Sequence, residues 1–246
     1  MHTNDGQLEG AQQSVDGAAL AWAEVAPPPL PWPEVRQACL PVDDHCAVLA
    51  ADELALIARA APRRRASFSS GRLLARRLLS EQSIDPVPAL LRTADGAPRW
   101  PQGLIGSISH SEQLAWAALE PAGSSLCDSG DSGHSGLGVD IERSGRVSEK
   151  LLRRLLTPAE QAAAAAEGRD WTAYFSAKEA IYKALNPLIN RYFDFLDVEL
   201  TFERDAFVAK PIGRELPAGA FASPGQCIEH AQHWWGAFAV PANWAR

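Results

Sequence analysis

The stretch from Leu137 to Lys183 constrains this chain more than any other, because a strand and a helix within it each carry acidic residues on one face. It opens with Leu137–Glu142, whose apolar and β-branched residues predict a strand. Residues i and i+2 of a strand point to the same side, so Asp140 and Glu142 present two carboxylates on one face. The residues between them face the opposite side and are predicted to be core.

The same stretch closes with Phe175–Lys183, which lacks Gly and Pro and has apolar residues at helical spacing, so it predicts a helix. Glu179 and Lys183 are four residues apart and share a helix face, and Lys178 is turned from Glu179 by about a third of a turn. Two strand carboxylates, a helix carboxylate and nearby lysines suit a hard divalent cation that holds a phosphorylated substrate. Taken alone, each piece is more typical of a solvated strand end or an exposed helix face.

Net charge, apolar runs and cysteine spacing exclude several classes of function. The chain has 246 residues, a formal net charge of -7 and a sequence pI near 5.4, which argues against nucleic-acid binding because that requires a basic surface. No apolar run has the length of a membrane span, and the N-terminus lacks the pattern of a signal peptide. Scattered cysteines without metal-ligand spacing favour reduced thiols in a cytoplasmic protein. They are Cys39, Cys46, Cys127 and Cys227.

The order of strand and helix patterns predicts an α+β chain with mixed elements in both halves. Residues 1–25 are polar and are expected to be frayed or disordered. Residues 26–130 form the predicted N-terminal half and residues 131–246 the C-terminal half. The Ser/Gly/Asp-rich segment Pro121–Gly136 is predicted to be a flexible surface loop at the seam between them.

The N-terminal half contains two candidate phosphate-binding elements. A predicted helix beginning at Arg63 is rich in arginine, whose planar fork suits phosphate, although a solvated basic face is equally compatible with the pattern. The segment Ser107-Ile108-Ser109-His110 reads as a strand end that offers hydroxyl and imidazole groups to a phosphate. A catalytic Ser-His pair is less favoured, because neighbouring strand residues rarely meet in the geometry of a triad.

Three elements now stand in a particular order along the chain. They are Trp100-Pro101 followed by Ser107–His110, then Gly138–Glu142, then Phe175–Lys183. Together they resemble the signature of the Sfp-type 4'-phosphopantetheinyl transferases, and most closely the branch with enterobactin synthetase component D and the broad-range transferases of pseudomonads. The resemblance spans roughly residues 63–191 and covers neither the first forty or so residues nor the Ser/Gly-rich insertion.

The resemblance implies a fold of two similar α/β halves in a pseudo-twofold arrangement, with coenzyme A in the cleft between them. It also implies a Mg²⁺-dependent reaction that moves the 4'-phosphopantetheine arm of coenzyme A to a serine of an apo acyl carrier or peptidyl carrier protein and releases 3',5'-ADP. A monomer is expected, because two halves of one chain can build the cleft. The sequence does not distinguish fatty-acid, polyketide and peptide carriers.

Residue roles follow from the same resemblance. Asp140, Glu142 and Glu179 are the expected magnesium site, and either Glu179 or a metal-bound water is the expected base. Lys183 is expected to stabilise charge on the reacting phosphate. The other expected contacts of coenzyme A are Ser109, His110 and Lys178, with Arg64 and Arg72 at its 3'-phosphate end.

A basic segment after the metal strand is a hypothetical docking site for the carrier protein. Its basic residues are Arg146, Lys150, Arg153 and Arg154, and Leu151 and Leu152 between them offer apolar contacts. An ordinary basic helix is the competing interpretation. Two other functions share the same carboxylates: a Mg²⁺-dependent phosphohydrolase of a nucleotide pyrophosphate, and a non-catalytic scaffold that binds coenzyme A or a carrier.

Overall fold

A computed structural model describes residues 26–94, 96–122, 133–213 and 216–245. The predicted frayed N-terminus (1–25) and most of the predicted Ser/Gly-rich loop (residues 123–132) lie outside these ranges. The α-helices are α1 (Ala51–Leu56), α2 (Pro62–Glu81), α3 (Leu152–Leu155), α4 (Pro158–Glu167) and α5 (Trp171–Ile189). The strands are β1 (Arg36–Pro41), β2 (Leu104–His110), β3 (Leu114–Pro121), β4 (His134–Arg143), β5 (Val198–Glu203), β6 (Ala206–Pro211), β7 (Gly225–His230) and β8 (His233–Pro241). Short 3-10 turns cover Cys46–Val48, Glu149–Leu151, Phe195–Asp197 and Ala218–Phe221.

The N-terminal half is a three-stranded antiparallel sheet in the order β1-β3-β2, covered on one face by α2. Pro62 begins α2, where a proline costs no hydrogen bond because the first helical N–H has no intrahelical partner. Leu74 and Leu78 of α2 are buried in one core cluster with Ala117 and Leu119 of β3. The middle strand is buried on both faces, since its other side meets the C-terminal half.

The C-terminal half is a five-stranded antiparallel sheet in the order β4-β8-β7-β6-β5, and α5 packs on β4 and β8. The predicted strand Leu137–Glu142 and the predicted helix Phe175–Lys183 are both confirmed, as parts of the longer elements β4 and α5. Asp170 begins α5 as its N-cap, because its side chain accepts a hydrogen bond from the Thr172 N–H.

Polar and apolar contacts join the halves along β2 and β4. The Ser107 hydroxyl accepts a hydrogen bond from the Val139 N–H at 3.0 Å, so a buried backbone donor of β4 is satisfied by a side chain of the other half. Trp116 and Trp235 meet edge to face with ring centroids 5.1 Å apart. The expected α+β class is confirmed, and each half consists of a long helix packed on an antiparallel sheet.

Two further observations concern the described ranges alone. No helix there is long and apolar enough to cross a membrane. The cysteines within these ranges, Cys39, Cys46 and Cys227, are free thiols. Burial raises the pKa of Cys39 to about 12, so its thiol stays protonated at neutral pH.

Candidate active site

A lysine, a carboxylate and a serine from three elements meet at the junction of the halves. Lys183 Nζ on α5 donates to Asp140 Oδ1 on β4 at 2.6 Å and to Ser109 Oγ on β2 at 2.9 Å. The Ser109 hydroxyl in turn donates to Asp140 Oδ1 at 2.8 Å. This network fixes the Asp140 carboxylate through one of its two oxygens.

The second oxygen of Asp140 is a candidate metal ligand. Asp140 Oδ2 is buried and has no hydrogen-bond partner among the described residues. A buried carboxylate oxygen without a partner is costly, and a bound cation would relieve that cost. Its partner oxygen is held by Lys183 and Ser109, so the direction of Oδ2 is fixed in advance.

The three expected carboxylates do not form a closed metal cage. Within the described ranges, no three His, Cys, Asp or Glu side chains converge closely enough to hold an ion unaided. Such an open site suits Mg²⁺, which retains several waters and takes few carboxylates together with substrate phosphates. The ligand set Asp140, Glu142 and Glu179 therefore stays a prediction that the carboxylate chemistry fits.

Glu142 lies in a strongly perturbing electrostatic environment. Burial and the neighbouring Asp140 raise its pKa to about 7, and Arg146 and Lys183 oppose that rise. Arg146 Nη1 donates to Glu142 Oε2 at 2.7 Å, although most of the Arg146 side chain is exposed. A carboxylate with a raised pKa beside a second carboxylate is a feature of functional sites, and a cation bound between them would favour the charged forms.

Glu179 lies one helical turn before Lys183 and faces the same centre. Burial raises the pKa of its carboxyl group, Asp140 raises it further, and Lys183 lowers it. A carboxylate that binds protons more readily than usual is a better general base. Its placement agrees with the sequence-based expectation that Glu179 and Lys183 share one face.

His110 lies at the end of β2 and contacts the arginine-rich helix. Arg64 Nη1 is 3.0 Å from His110 Nε2, and because arginine only donates, the imidazole accepts at this atom. Burial lowers the pKa of His110, and the charges of Arg64 and Lys183 lower it further, so the ring is neutral. An imidazole flanked by two cations is well suited to an anionic ligand.

Two open cavities flank this centre. One, of about 860 Å³, has an arginine-rich lining. Its charged lining residues are Arg63, Arg64, Glu112, Glu142, Arg143 and Arg146, and the neutral His110 also lines it. The other, of about 920 Å³, is more apolar and is lined in part by Trp100, Ile108, Leu137, Glu179, Tyr182 and Lys183. The two volumes together are ample for a ligand the size of coenzyme A, with the carboxylates between them.

An arginine missed by the sequence analysis joins the basic cluster. The guanidinium carbon of Arg92 lies 5.1 Å from the centre of the Phe68 ring, and that of Arg72 lies 4.5 Å from it. Arg92 and Arg64 are close enough that Arg92 lowers the Arg64 pKa, second to burial. Arg92 lies in a loop rich in Pro and Gly, where arginines have no periodic spacing, so only the folded chain reveals this neighbour.

Arg72 is placed differently from the expectation that it meets the 3'-phosphate end of coenzyme A. It is only 4% exposed, and its Nε donates to the Leu90 carbonyl at 2.9 Å. The apolar stripe of α2 faces the sheet, and Arg72 falls on the buried side of the helix. Its first contacts are therefore internal, and direct phosphate binding by Arg72 gains no support.

Lys178 also departs from its expected role as a contact of coenzyme A. Its side chain is 1% exposed, and its Nζ donates to Glu160 Oε2 at 2.7 Å and to the Leu155 and Phe195 carbonyls. All three protons of the ammonium group are used inside the C-terminal half. This contradicts a coenzyme A contact by Lys178.

The expected docking segment is mostly exposed. Lys150, Arg153 and Arg154 lie at the surface around α3. Leu152 is buried in the core, so its expected contact with a carrier is wrong, and the exposed apolar residue there is Leu151, at 43%. The reason is helical periodicity, which turns successive residues by about 100–120° and so points Leu152 to the core while Leu151 stays at the surface.

Two family models match consecutive parts of the chain. A model described as the 4'-phosphopantetheinyl transferase N-terminal domain matches residues 52–120, and one described as the 4'-phosphopantetheinyl transferase superfamily matches residues 136–224. The chain belongs to the 4'-phosphopantetheinyl transferase superfamily. The residues brought together at the centre, Ser109, Asp140 and Lys183, all lie within the two matched ranges.

Curated proteins of this superfamily are similar over much of the chain. 4'-Phosphopantetheinyl transferase Svp of Streptomyces mobaraensis is 35% identical over 170 residues, which cover 67% of this chain and 65% of Svp. PptT of Mycobacterium tuberculosis is 33% identical over 159 residues, which cover 63% of this chain and 66% of PptT. Enterobactin synthase component D of Salmonella typhi is 30% identical over 130 residues, or 50% of this chain and 49% of that protein. The chain thus spans about two thirds or less of these relatives, and the resemblance to Sfp-type transferases is confirmed.

Among solved structures, the holo-[acyl-carrier-protein] synthase (AcpS) of Thermotoga maritima matches with a TM-score of 0.35 and 25% sequence identity. The match covers 43% of this chain and 62% of that chain.

Proposed function

We propose that this protein transfers the 4'-phosphopantetheine arm of coenzyme A to a serine hydroxyl of an apo carrier protein and releases 3',5'-ADP. The observation that carries the proposal is the buried centre of Asp140, Lys183 and Ser109 between two cavities, in a chain of the 4'-phosphopantetheinyl transferase superfamily. The curated relatives named as 4'-phosphopantetheinyl transferases support the same reaction class.

Magnesium is the metal that the carboxylate chemistry favours. Asp140 would bind it through the unpartnered Oδ2, and Glu142 and Glu179 would complete the protein's share of the ligands. When bound, Mg²⁺ would neutralise charge on the pyrophosphate and orient it. The raised pKa of Glu142 would fall on binding, because a cation stabilises the carboxylate.

The chain's own groups would supply the remaining catalytic functions. Lys183, held by Asp140 and Ser109, would place a positive charge beside the phosphate that is attacked. His110 and Arg64 would bind phosphate oxygens at the arginine-rich cavity. Glu179 would accept the proton of the carrier serine, either directly or through a water that it orients.

The 3'-phosphate end of coenzyme A would be bound by Arg64 together with Arg92. The Arg92 guanidinium lies over the Phe68 ring and the Arg64 guanidinium contacts His110, and neither group has an ion-pair partner within the described ranges. A dianionic phosphate would relieve the repulsion between them and gain charge-assisted hydrogen bonds.

Docking of the carrier is proposed to involve the basic surface around α3. Lys150, Arg153 and Arg154 are exposed there beside Leu151, which offers an apolar contact. Basic groups at the rim steer an acidic partner even though the whole chain is acidic. Charge reversal at Arg153 and Arg154 should raise the KM for the carrier and leave the KM for coenzyme A unchanged. An unchanged carrier KM would contradict this docking site.

The function is tested by mass spectrometry of an apo acyl carrier protein and an apo peptidyl carrier domain, each incubated with the protein, coenzyme A and Mg²⁺. A gain of one phosphopantetheine group, about 340 Da, that is absent with EDTA or in Glu179→Ala would support the transfer. The ratio between the two carriers would indicate the preferred class. A monomer is proposed, because two halves of one chain can build the cleft, and a cytoplasmic location is proposed from the scattered cysteines.

Two other outcomes would redirect the assignment. Consumption of coenzyme A without modification of either carrier would favour a phosphohydrolase. Binding of coenzyme A by calorimetry without any turnover would favour a scaffold. Neither alternative has a specific observation in its favour.

A further inference from the structure

A fully buried carboxylate lies behind the arginine cluster. Glu53 on α1 is 0% exposed, although it lies outside the candidate active site. Its Oε2 accepts from Arg76 Nη2 at 2.5 Å and from the Ala50 N–H at 2.9 Å, and its Oε1 accepts from the Leu90 N–H at 2.9 Å. A buried carboxylate that accepts three hydrogen bonds is held in one position.

The peptide groups of Leu90 are held on both sides. The Leu90 N–H donates to Glu53, and the Leu90 carbonyl accepts from Arg72 Nε at 2.9 Å. Arg72 Nε is itself 3.9 Å from Glu53 Oε1. Leu90 is thereby fixed to two helices, α1 and α2, just before the loop pairs with itself through the Arg99 N–H and the Leu91 carbonyl.

Arg92 lies two residues after Leu90 in the same loop, where its backbone forms an antiparallel bridge with Pro98. The guanidinium groups of Arg92 and Arg72 both lie over the ring of Phe68. Several arginines are crowded here, and burial lowers the pKa of Arg72 to about 10, with Glu53 opposing the effect of neighbouring arginines. The negative charge of Glu53 thus offsets part of the repulsion among the neighbouring arginines when no ligand is bound.

We propose that Glu53 is a positioning residue for the 3'-phosphate of coenzyme A, acting through the Leu90 peptide to hold Arg92 beside Arg64. The inference rests on the proposed function, because it takes coenzyme A as the ligand of this cluster. It assigns a role to a residue that never touches the ligand. It also gives Arg72 a role as the second side chain that holds Leu90.

The test compares coenzyme A with 3'-dephospho-coenzyme A as substrates, because the two differ only in the group that Arg92 is proposed to bind. The measured quantity is the kcat/KM for coenzyme A divided by the kcat/KM for 3'-dephospho-coenzyme A, both in carrier modification. Arg92→Ala should lower the wild-type ratio by roughly tenfold or more, the loss of one charge-assisted contact. Glu53→Gln should lower it by about three- to tenfold. Glu81→Gln, in an exposed pair with Arg77, is the matched control and should leave the ratio unchanged.

Combining the variants separates positioning from general stability. If Glu53 acts through Arg92, the double variant Glu53→Gln/Arg92→Ala should have the ratio of Arg92→Ala alone. Equal losses of kcat/KM for both substrates in Glu53→Gln would overturn the proposal, as would strictly additive effects in the double variant. Should Glu53→Gln fail to fold, Glu53→Asp keeps the charge and shortens the reach by one methylene, and the same ratio decides.

A binding experiment makes the result independent of turnover. Calorimetry with 3',5'-ADP and with 5'-ADP gives the contribution of the 3'-phosphate to the Kd. Wild-type protein that modifies no carrier would contradict the proposed function. The ratio of the Kd for 5'-ADP to the Kd for 3',5'-ADP, measured in Glu53→Gln, would still decide the positioning role. A ratio that equals the wild-type value in Glu53→Gln but falls in Arg92→Ala would refute that role.

Discussion

Gly138 on β4 lies directly against the carbonyl group of Ala180 on α5. A Cβ atom added at Gly138 would collide with the Ala180 oxygen and would also crowd the Ala184 nitrogen, at 2.7 Å. The helix that carries Glu179 and Lys183 can therefore approach the strand that carries Asp140 only because position 138 has no side chain. This close approach makes the 2.6 Å contact between Lys183 and Asp140 possible.

Gly138→Ala should therefore damage the site as well as the fold. Overpacking is expected to cost about 1–3 kcal/mol of unfolding free energy, and the shifted helix should reduce carrier modification more than tenfold. Gly103→Ala is the comparison, because Gly103 has φ +80° but open space around its Cβ position. That variant should lose about 1–2 kcal/mol from backbone strain alone and retain its kinetics. Urea unfolding and kcat/KM measure both effects, and unchanged activity in Gly138→Ala would contradict the explanation.

Replacing the two serines of β2, Ser107 and Ser109, should have different effects on stability and on kcat. Ser107 satisfies the Val139 N–H, and Ser109 accepts from the Ile141 N–H at 3.3 Å while also contacting Asp140 and Lys183. Each change to alanine should cost about 1–3 kcal/mol, because a buried donor loses its partner. Ser109→Ala should in addition lower kcat at saturating coenzyme A at least tenfold further than Ser107→Ala. Equal kcat values in the two variants would show that Ser109 serves only the backbone.

Metal binding by Asp140 can be measured without turnover. Mg²⁺ together with coenzyme A should raise the Tm of the wild-type protein, because a ligand that binds only the folded state stabilises it. In Asp140→Asn the side chain keeps its shape but loses the charge on the unpartnered oxygen. The Mg²⁺-dependent part of the Tm increase should therefore disappear, and the part due to coenzyme A alone should remain. An Asp140→Asn protein with the full Mg²⁺ effect would exclude Asp140 as a ligand.

The parts of the site that local periodicity determines could be predicted from the sequence. Asp140 and Glu142 lie on one strand face, and Glu179 and Lys183 lie on one helix face, because strand and helix geometry are local properties. The meeting of Lys183 with Asp140 also follows, once α5 packs on β4.

The parts that depend on distant partners could not be predicted. Arg92 stacks on Phe68, 24 positions earlier in the sequence, and the N–H of the nearby Leu90 has its partner, Glu53, 37 residues away. Arg72 lies on the same helix as Arg64 but on its buried side, where an arginine is accepted only because Leu90 and Glu53 receive it. Neither partner is visible in the spacing of arginines along α2.

Lys178 gives the sharpest contrast between motif and structure, and it carries a prediction. It is next to Glu179 in sequence, but its ammonium group is paired with Glu160, 18 residues away, in the interior of the C-terminal half. Burial lowers the pKa of Lys178 and raises the pKa of Glu160, so each charge depends on the other.

Lys178→Met should cost about 3–5 kcal/mol of unfolding free energy, because Glu160 is left buried without its counter-charge. Lys178→Met/Glu160→Gln should recover more than about 1 kcal/mol of that loss, since the remaining amide still accepts from the Leu200 N–H. At a temperature where both variants are folded, their KM for coenzyme A should equal that of the wild type. A tenfold rise in this KM without loss of stability would instead place Lys178 in the coenzyme A site.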